Sequence, residues 1–177
     1  FLEDFSKKDA TAEDYLERAK DFENRGHHEL AAESFLAGKD KRSYHRCRGE
    51  FLNRKGDYLE AAWEFEEAAT LADSSSRGED SANYRRKAVS CLDRTIKFSN
   101  GKANLEIYDA KSRLSQQLGD QRGMNEAVAL YHEGMSAIMT GEVREYHLNQ
   151  AADSYWRMEQ GKKAISILNK IPNHNRV

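Results

Sequence analysis

The chain has 177 residues, of which 33% are charged and 38% are hydrophobic, and its formal net charge is −2. A chain so close to neutrality is not a general polyanion-binding protein, although local basic patches remain compatible with this balance. No apolar run approaches the roughly 20 residues that a membrane-spanning helix needs, so we expect no membrane partner. The length is ample for one domain with a buried core.

Proline and glycine usage favours an all-α protein. The one proline, Pro172, lies near the C-terminal end, so no proline interrupts a helix elsewhere. Hydrophobic residues recur at the helical period, and glycines separate the periodic segments. The first two predicted helices end at Gly26 and Gly38, and the others cover 43–55, 58–72, 82–98, 103–118, 124–139, 142–160 and 162–171. About nine helices joined by short turns pack as antiparallel neighbours.

One pattern of small and large side chains occurs twice in the sequence, 30 residues apart. Residues 26–38 read GHHELAAESFLAG, and residues 56–69 read GDYLEAAWEFEEAA. With the helix before each stretch, the two copies are Ala19, Phe22, Gly26, Ala31, Phe35, Gly38 and Gly49, Leu52, Gly56, Ala61, Phe65, Ala68. Near the C-terminus the pattern returns as Leu148, Ala152, Tyr155, Ala164, Leu168 and Ile171. One amphipathic hairpin cannot bury its apolar face alone, so such repeats indicate stacked hairpins.

The repeated pattern resembles the tetratricopeptide repeat (TPR) family, with a good match over 12–69, a fair one over 124–171 and a poor one over 73–118. The resemblance implies a right-handed solenoid of helical hairpins with irregular units. We predict a single domain over 1–177, and we expect it to be part of a larger protein because it begins at Phe1 rather than at methionine. Its parts are a lead-in (1–10), two well-matched repeats (12–72), a loop (73–81), irregular long helices (82–122), C-terminal repeats (123–171) and a tail (172–177).

The same resemblance implies a concave groove, lined by the first helix of each hairpin, that binds an extended peptide or a helix. The residues at matching positions include Lys20, Asn24, Arg46, Asn53, Arg54, Trp156 and Arg157. The Lys/Asn clamp with which chaperone-binding members hold a terminal carboxylate is not matched, because Leu16 and Lys20 occupy its first positions. Trp156 is either an interface anchor in this groove or a seal between the last two helices.

Charge is distributed unevenly along the chain. Residues 39–55 hold seven Lys/Arg and two acids, residues 56–67 hold five acids and no Lys/Arg, and residues 84–87 read YRRK. If adjacent helices align them, four arginines form a basic stripe: Arg46, Arg54, Arg85 and Arg86. Such a stripe would hold an acidic or phosphate-bearing peptide through arginine forks. The alternative is a set of solvated faces whose charges neutralise one another.

Nothing in the sequence indicates a catalytic centre, a metal site or a cofactor. Cys47 and Cys91 lack metal-ligand spacing, and we predict buried, reduced thiols in a cytoplasmic or nuclear protein. His27 and His28 are adjacent on a predicted helix start and point in different directions, so they cannot share a metal without other donors. Phosphate-loop, GxSxG and HExxH motifs do not occur. We therefore predict that the chain is not an enzyme.

The sequence favours a protein–protein interaction scaffold, or adaptor, that binds a peptide or helix of a partner, acidic if the basic stripe is the contact. One alternative is a helical accessory domain of a larger, helicase-like enzyme that processes nucleic acid. Tyr44 and Tyr84 beside arginines could stack on bases, but both fall at core spacing. The other alternative is a structural or self-association arm. The oligomeric state is not fixed by the sequence.

Overall fold

The computed structural model describes residues 10–75, 78–99 and 104–172, and these ranges contain nine α-helices and no strand, which confirms the all-α prediction. The helices are α1 (Ala12–Asn24), α2 (His28–Ala37), α3 (Lys41–Lys55), α4 (Tyr58–Ser74), α5 (Gly78–Phe98), α6 (Leu105–Gln117), α7 (Gln121–Ile138), α8 (Gly141–Arg157) and α9 (Gly161–Leu168). Over these ranges, no helix is both long and apolar enough to cross a bilayer.

Short polar side chains fix where several helices begin. The Thr11 hydroxyl accepts a hydrogen bond from the Asp14 amide, and the Asp14 carboxylate accepts one from the Thr11 amide, which closes a capping box at α1. Asp40 caps α3 by accepting from the Ser43 amide at 3.1 Å. Asp120 caps α7 in the same way through the Gly123 amide. Because of these caps, α3 begins two residues before its predicted start and α7 begins three residues before its predicted start. The predicted starts rest on the hydrophobic period alone.

The loop predicted over 73–81 is shorter at both ends. Helix α4 continues to Ser74, and α5 already begins at Gly78. The hydroxyls of Ser74 and Ser75 donate to the carbonyl oxygen of Leu71. These serines therefore cap the last turn of α4 and are not part of a free loop. Two acidic side chains lie in the first turn of α5, where they interact favourably with the helix dipole.

The last two helices end three residues earlier than predicted, at Arg157 and Leu168. Beyond α8 the chain turns at Glu159, whose φ of 61° lies in the left-handed region and cannot continue a right-handed helix. The predicted lead-in over 1–10 and tail over 172–177 lie outside the described residues, apart from one residue of each.

The first of two compact units comprises Phe1–Thr95. Its described helices pack on one another in chain order, α1 on α2, α2 on α3 and α3 on α4. One core cluster joins the first three helices through Ala19, Ala31, Ala32, Phe35 and Cys47. In the next hairpin the ring of Phe65, 1% exposed, lies directly against Gly49. In these two hairpins Phe35 and Phe65 are therefore buried beside small residues of the preceding helix, Ala19 and Gly49.

The second unit comprises Ile96–Val177 and contains α6 to α9, again packed in chain order. Its core cluster is Ala129, Leu148, Ala151, Ala152, Tyr155, Met158, Ala164 and Ile167. Four of its members are alanines, which let α7, α8 and α9 approach closely. Packing of each helix on its chain neighbour is the arrangement that stacked hairpins need; the right-handed superhelix stays a prediction.

Candidate functional site

Polar side chains of the first unit link α1 and α3, which we predicted to line a groove, and α5, which carries Arg85 and Arg86 of the predicted basic stripe. The Arg46 guanidinium of α3 forms two hydrogen bonds with the Glu23 carboxylate of α1. Three further contacts join α3 to α5: Arg42 to Asp80 at 2.9 Å, Lys87 to Glu50, and Arg94 to the Asn53 side-chain oxygen at 3.1 Å. We call these four contacts the polar ladder. They fix the spacing of the three helices with charged side chains of the chain itself.

The pair between Glu23 and Arg46 is the most enclosed contact of the ladder, because its side chains are only 28% and 22% exposed. The hydrogen bond from Arg46 holds the pKa of Glu23 below its usual value, and the same bond raises the pKa of Arg46. The guanidinium also lies 5.9 Å from the centre of the Phe35 ring. Arg46 is thus held by two groups, the Glu23 carboxylate and the Phe35 ring.

Most of the predicted basic stripe is engaged within the protein. Arg85 donates to Asp73 and, at 2.5 Å, to the Ser81 hydroxyl. Arg54 donates to the carbonyl oxygen of Gly26 at 3.3 Å. The remaining predicted residues of this unit are exposed: Lys20, Asn24 and Arg86. The structure therefore joins Arg46 and Asn53 in one ladder, places Arg54 and Arg85 in separate contacts, and leaves three polar side chains at the surface.

In the second unit, Trp156 is half exposed and packs against the start of α9. Its side chain is 50% exposed, and its ring lies over the backbone of Gly161, where an added Cβ would be 2.8 Å from Cζ3 of the indole. The ring contacts the start of α9, as expected for a seal between the last two helices, and the interpretation as an interface anchor stays a prediction. The next residue, Arg157, pairs with Asp153 at 2.9 Å one turn earlier.

Trp156 belongs to an exposed row along α8. Tyr146 (56% exposed), Asn149, Asp153 and Trp156 are spaced i, i+3, i+7 and i+10, so they share one face of the helix. At a rise of about 1.5 Å per residue, the two aromatic rings are anchored about 15 Å apart. We call these four residues the α8 face. Tyr146 was not predicted as a site residue; its helical spacing to Trp156 is the signal that could have indicated it.

Replacing Gly161 with alanine should move the Trp156 ring. The new methyl group would need the space that Cζ3 occupies, so we expect the indole to rotate away and become more accessible to a quencher. The measurement is acrylamide quenching of Trp156 fluorescence in a Trp63→Phe background, with Gly78→Ala as the matched control because a Cβ there meets nothing within 4 Å. Equal quenching in both variants would contradict the contact.

A cavity of about 320 Å³ opens between α7, α8 and α9. Glu133, Tyr155, Lys163, Ser166, Ile167 and Lys170 line it. The Tyr155 hydroxyl donates to Glu133, and burial together with this carboxylate raises the pKa of Tyr155. The Lys163 ammonium lies 5.1 Å from the centre of the Tyr155 ring. Glu133, the carboxylate in the cavity, is thus already engaged by tyrosine, and no sequence motif indicated this cleft.

The cysteines are buried and free, as predicted, and burial raises the pKa of both thiols to about 11. Within the ranges that the structure covers, no group of three or more His, Cys, Asp or Glu side chains is arranged to hold a metal ion.

Comparisons with models of protein families, with curated proteins and with solved structures found no match to this chain. The resemblance to the TPR family therefore stays a prediction from the residue pattern. The polar ladder and the α8 face are the two features of the described residues that bear on function.

Proposed function

We propose that the chain is a protein-binding scaffold that holds a peptide or short helix of a partner, without chemical catalysis, and that the α8 face is its principal contact. The observation that carries this proposal is Trp156, a large aromatic side chain that is half exposed and packs against Gly161. A side chain that already packs against its own protein loses less conformational entropy when a partner covers it, so more of the contact energy is retained in binding.

The composition of the α8 face matches that of interface centres. Tryptophan, tyrosine and arginine are the residues in which binding energy concentrates, and Trp156, Tyr146 and Arg157 lie on this one helix. Asn149, exposed between the two aromatic residues, offers a side-chain amide that can both donate to and accept from a peptide backbone. The aromatic residues would bind apolar side chains of the partner, and Asn149 would set its register.

The partner that fits this surface has an apolar anchor residue and a nearby acidic residue. Lys162 and Lys163, both exposed, begin α9 directly after the Gly161 backbone on which Trp156 packs. An acidic side chain next to the anchor would meet these ammonium groups. The first unit supports selectivity for acids less strongly, because Arg46 and Arg85 are paired with Glu23 and Asp73. The same pairing reduces the support for a nucleic-acid-binding role.

A peptide-display selection on the whole chain tests the proposal. We expect selected peptides to share an aromatic or aliphatic anchor, and we expect Trp156→Ala to weaken their affinity by about 30-fold, which corresponds to the loss of about 2 kcal/mol at an interface hot spot. The measurement is the Kd of a labelled peptide by fluorescence anisotropy.

Trp63→Ala is the matched control, because Trp63 is the other tryptophan and is 37% exposed on α4 of the first unit. If both variants bind the peptide as the wild type does, the α8 face is not the contact. If no peptide is selected and the mass of the chain instead rises with concentration in a Trp156-dependent way, the exposed aromatic residues serve self-association.

A further inference from the structure

Two histidines on neighbouring helices of the second unit face each other through the same ring nitrogen. His132 of α7 and His147 of α8 place their Nδ1 atoms 2.8 Å apart. The ring centres are 5.1 Å apart, so each Nδ1 is the part of its ring nearest to the other histidine. Nitrogens at this distance are joined by one hydrogen bond, in which one Nδ1–H donates and the other Nδ1 accepts.

This arrangement can hold one extra proton but not two. The first proton binds at the outward Nε2 of the donor ring and leaves the Nδ1–H···Nδ1 bond in place. A second proton has to bind at the accepting Nδ1, which replaces the bond with two N–H groups directed at each other and two like charges. The two rings therefore titrate as one coupled system.

Aromatic rings surround the pair. Tyr131 lies edge-on to His132, with ring centres 5.4 Å apart, and Tyr146 lies edge-on to both histidines, at 6.3 Å and 5.4 Å. Both histidine side chains are partly buried between these rings. A change in the pair would be transmitted directly to Tyr146, because its ring contacts both members.

Several charged and ionisable groups lie on the helices packed around the pair. On α7, Glu133 accepts from Tyr155 of α8 and lies 3.9 Å from Lys170, which follows α9. Glu126, also on α7, pairs with Lys111 of α6 at 2.7 Å. On α8, Glu145 and Tyr146 directly precede His147. Between the two histidines, a positive charge on His147 repels a positive charge on His132.

We infer that His132 and His147 form a proton-operated switch in the α7–α8 hairpin, closed by one shared hydrogen bond when the pair holds at most one extra proton and opened when both rings are charged. Opening the pair displaces the Tyr146 ring. Burial, and in addition the charge of His147, lower the pKa of His132 below the ordinary histidine value of 6.5. The unfolded chain thus binds protons more readily, so the stability from this pair is complete above about pH 6.5 and is lost as the pH falls below it.

Nuclear magnetic resonance on the isotope-labelled whole chain tests the switch. In the wild type we expect a scalar coupling between the two Nδ1 nuclei across the hydrogen bond near neutral pH, and we expect this coupling to disappear on acidification together with a shift of the Tyr146 ring signals. In His147→Gln the titration midpoint of His132 should lie at a higher pH than in the wild type, because the like charge is gone.

His27→Gln is the matched control, since His27 is exposed in the first unit and should leave the titration of His132 unchanged. Two results would overturn the switch: no coupling between the Nδ1 nuclei at any pH, or a His132 midpoint that is the same in His147→Gln and in the wild type. If His147→Gln does not fold, the presence or absence of the coupling between the two Nδ1 nuclei in the wild type is the test of the switch.

Discussion

We expect Phe65→Ala to lower the free energy of unfolding of the first unit by about 3–5 kcal/mol, the range typical of deleting a buried phenylalanine. The Phe65 side chain is 1% exposed and is the largest of the side chains that are almost completely buried. It fills the crossing of α3 and α4 opposite Gly49, which has no side chain to occupy the vacated space. The measurement is urea denaturation followed by circular dichroism at the helical minimum.

The control for this substitution is Trp63→Ala on the same helix. Trp63 is larger than Phe65 but 37% exposed, so its removal should cost about 1 kcal/mol or less. If the two variants lose the same stability, the ring of Phe65 is not the core contact that we describe.

A second test of this crossing uses Gly49→Ala in two backgrounds. In the wild type the new methyl group would lie 2.9 Å from Cε1 of Phe65, and overpacking by about 1–3 kcal/mol should outweigh the gain of about 1 kcal/mol in helix propensity. In the Phe65→Ala background the methyl group has room, so the same substitution should stabilise. A change of the same sign in both backgrounds would contradict the direct contact.

The crossings could be predicted from the sequence because they depend on spacing alone. In the first two copies a small residue is followed sixteen positions later by an aromatic one on the next helix: Ala19 and Phe35 share one core cluster, and Phe65 lies against Gly49. The helix count follows from the same period. Helix ends were less predictable, because Asp40, Asp120 and the serines after α4 extend helices beyond the hydrophobic pattern.

The environment of the arginines could not be predicted in the same way. The sequence shows a basic run over 39–55, and it does not show that Glu23 of α1 and Asp80 of α5 lie opposite Arg46 and Arg42 of that run. Those pairings depend on how far one helix is shifted along the next, which is set by the packed core rather than by any local pattern. The pair of His132 and His147, fifteen residues apart on two helices, was missed for the same reason.

We expect Arg46→Met to destabilise the first unit by about 2–3 kcal/mol at neutral pH. The substitution leaves the Glu23 carboxylate, whose side chain is only 28% exposed, without its charged donor, and an unpaired enclosed charge costs more than the pair contributes. Glu23→Met should cost a similar amount, because it leaves the Arg46 cation unpaired. The double variant should lose clearly less than the sum, since two methionines can pack against Phe35 without any charge.

The stability that the pair of Glu23 and Arg46 contributes should change with pH in a definite direction. The hydrogen bond from Arg46 lowers the pKa of Glu23 in the folded state below the unfolded value of 4.5. The stability from this shift is therefore complete above about pH 4.5 and is lost as the pH falls below it. The difference in urea midpoint between the wild type and Arg46→Met should shrink on acidification below this value. A difference that is independent of pH would show that Arg46 stabilises the unit by packing alone.

These variants also separate the structural role of Arg46 from the binding role that its place in the basic run suggested. If Arg46 serves the polar ladder, Arg46→Met and the double variant should bind a selected peptide within about twofold of the wild type under conditions in which all three are folded. If Arg46 contacts the partner, both variants should lose affinity alike, although the double variant recovers stability. Stability and affinity thus respond differently to the second substitution, and that difference decides whether Arg46 contacts the partner or serves only to pair with Glu23 within the first unit.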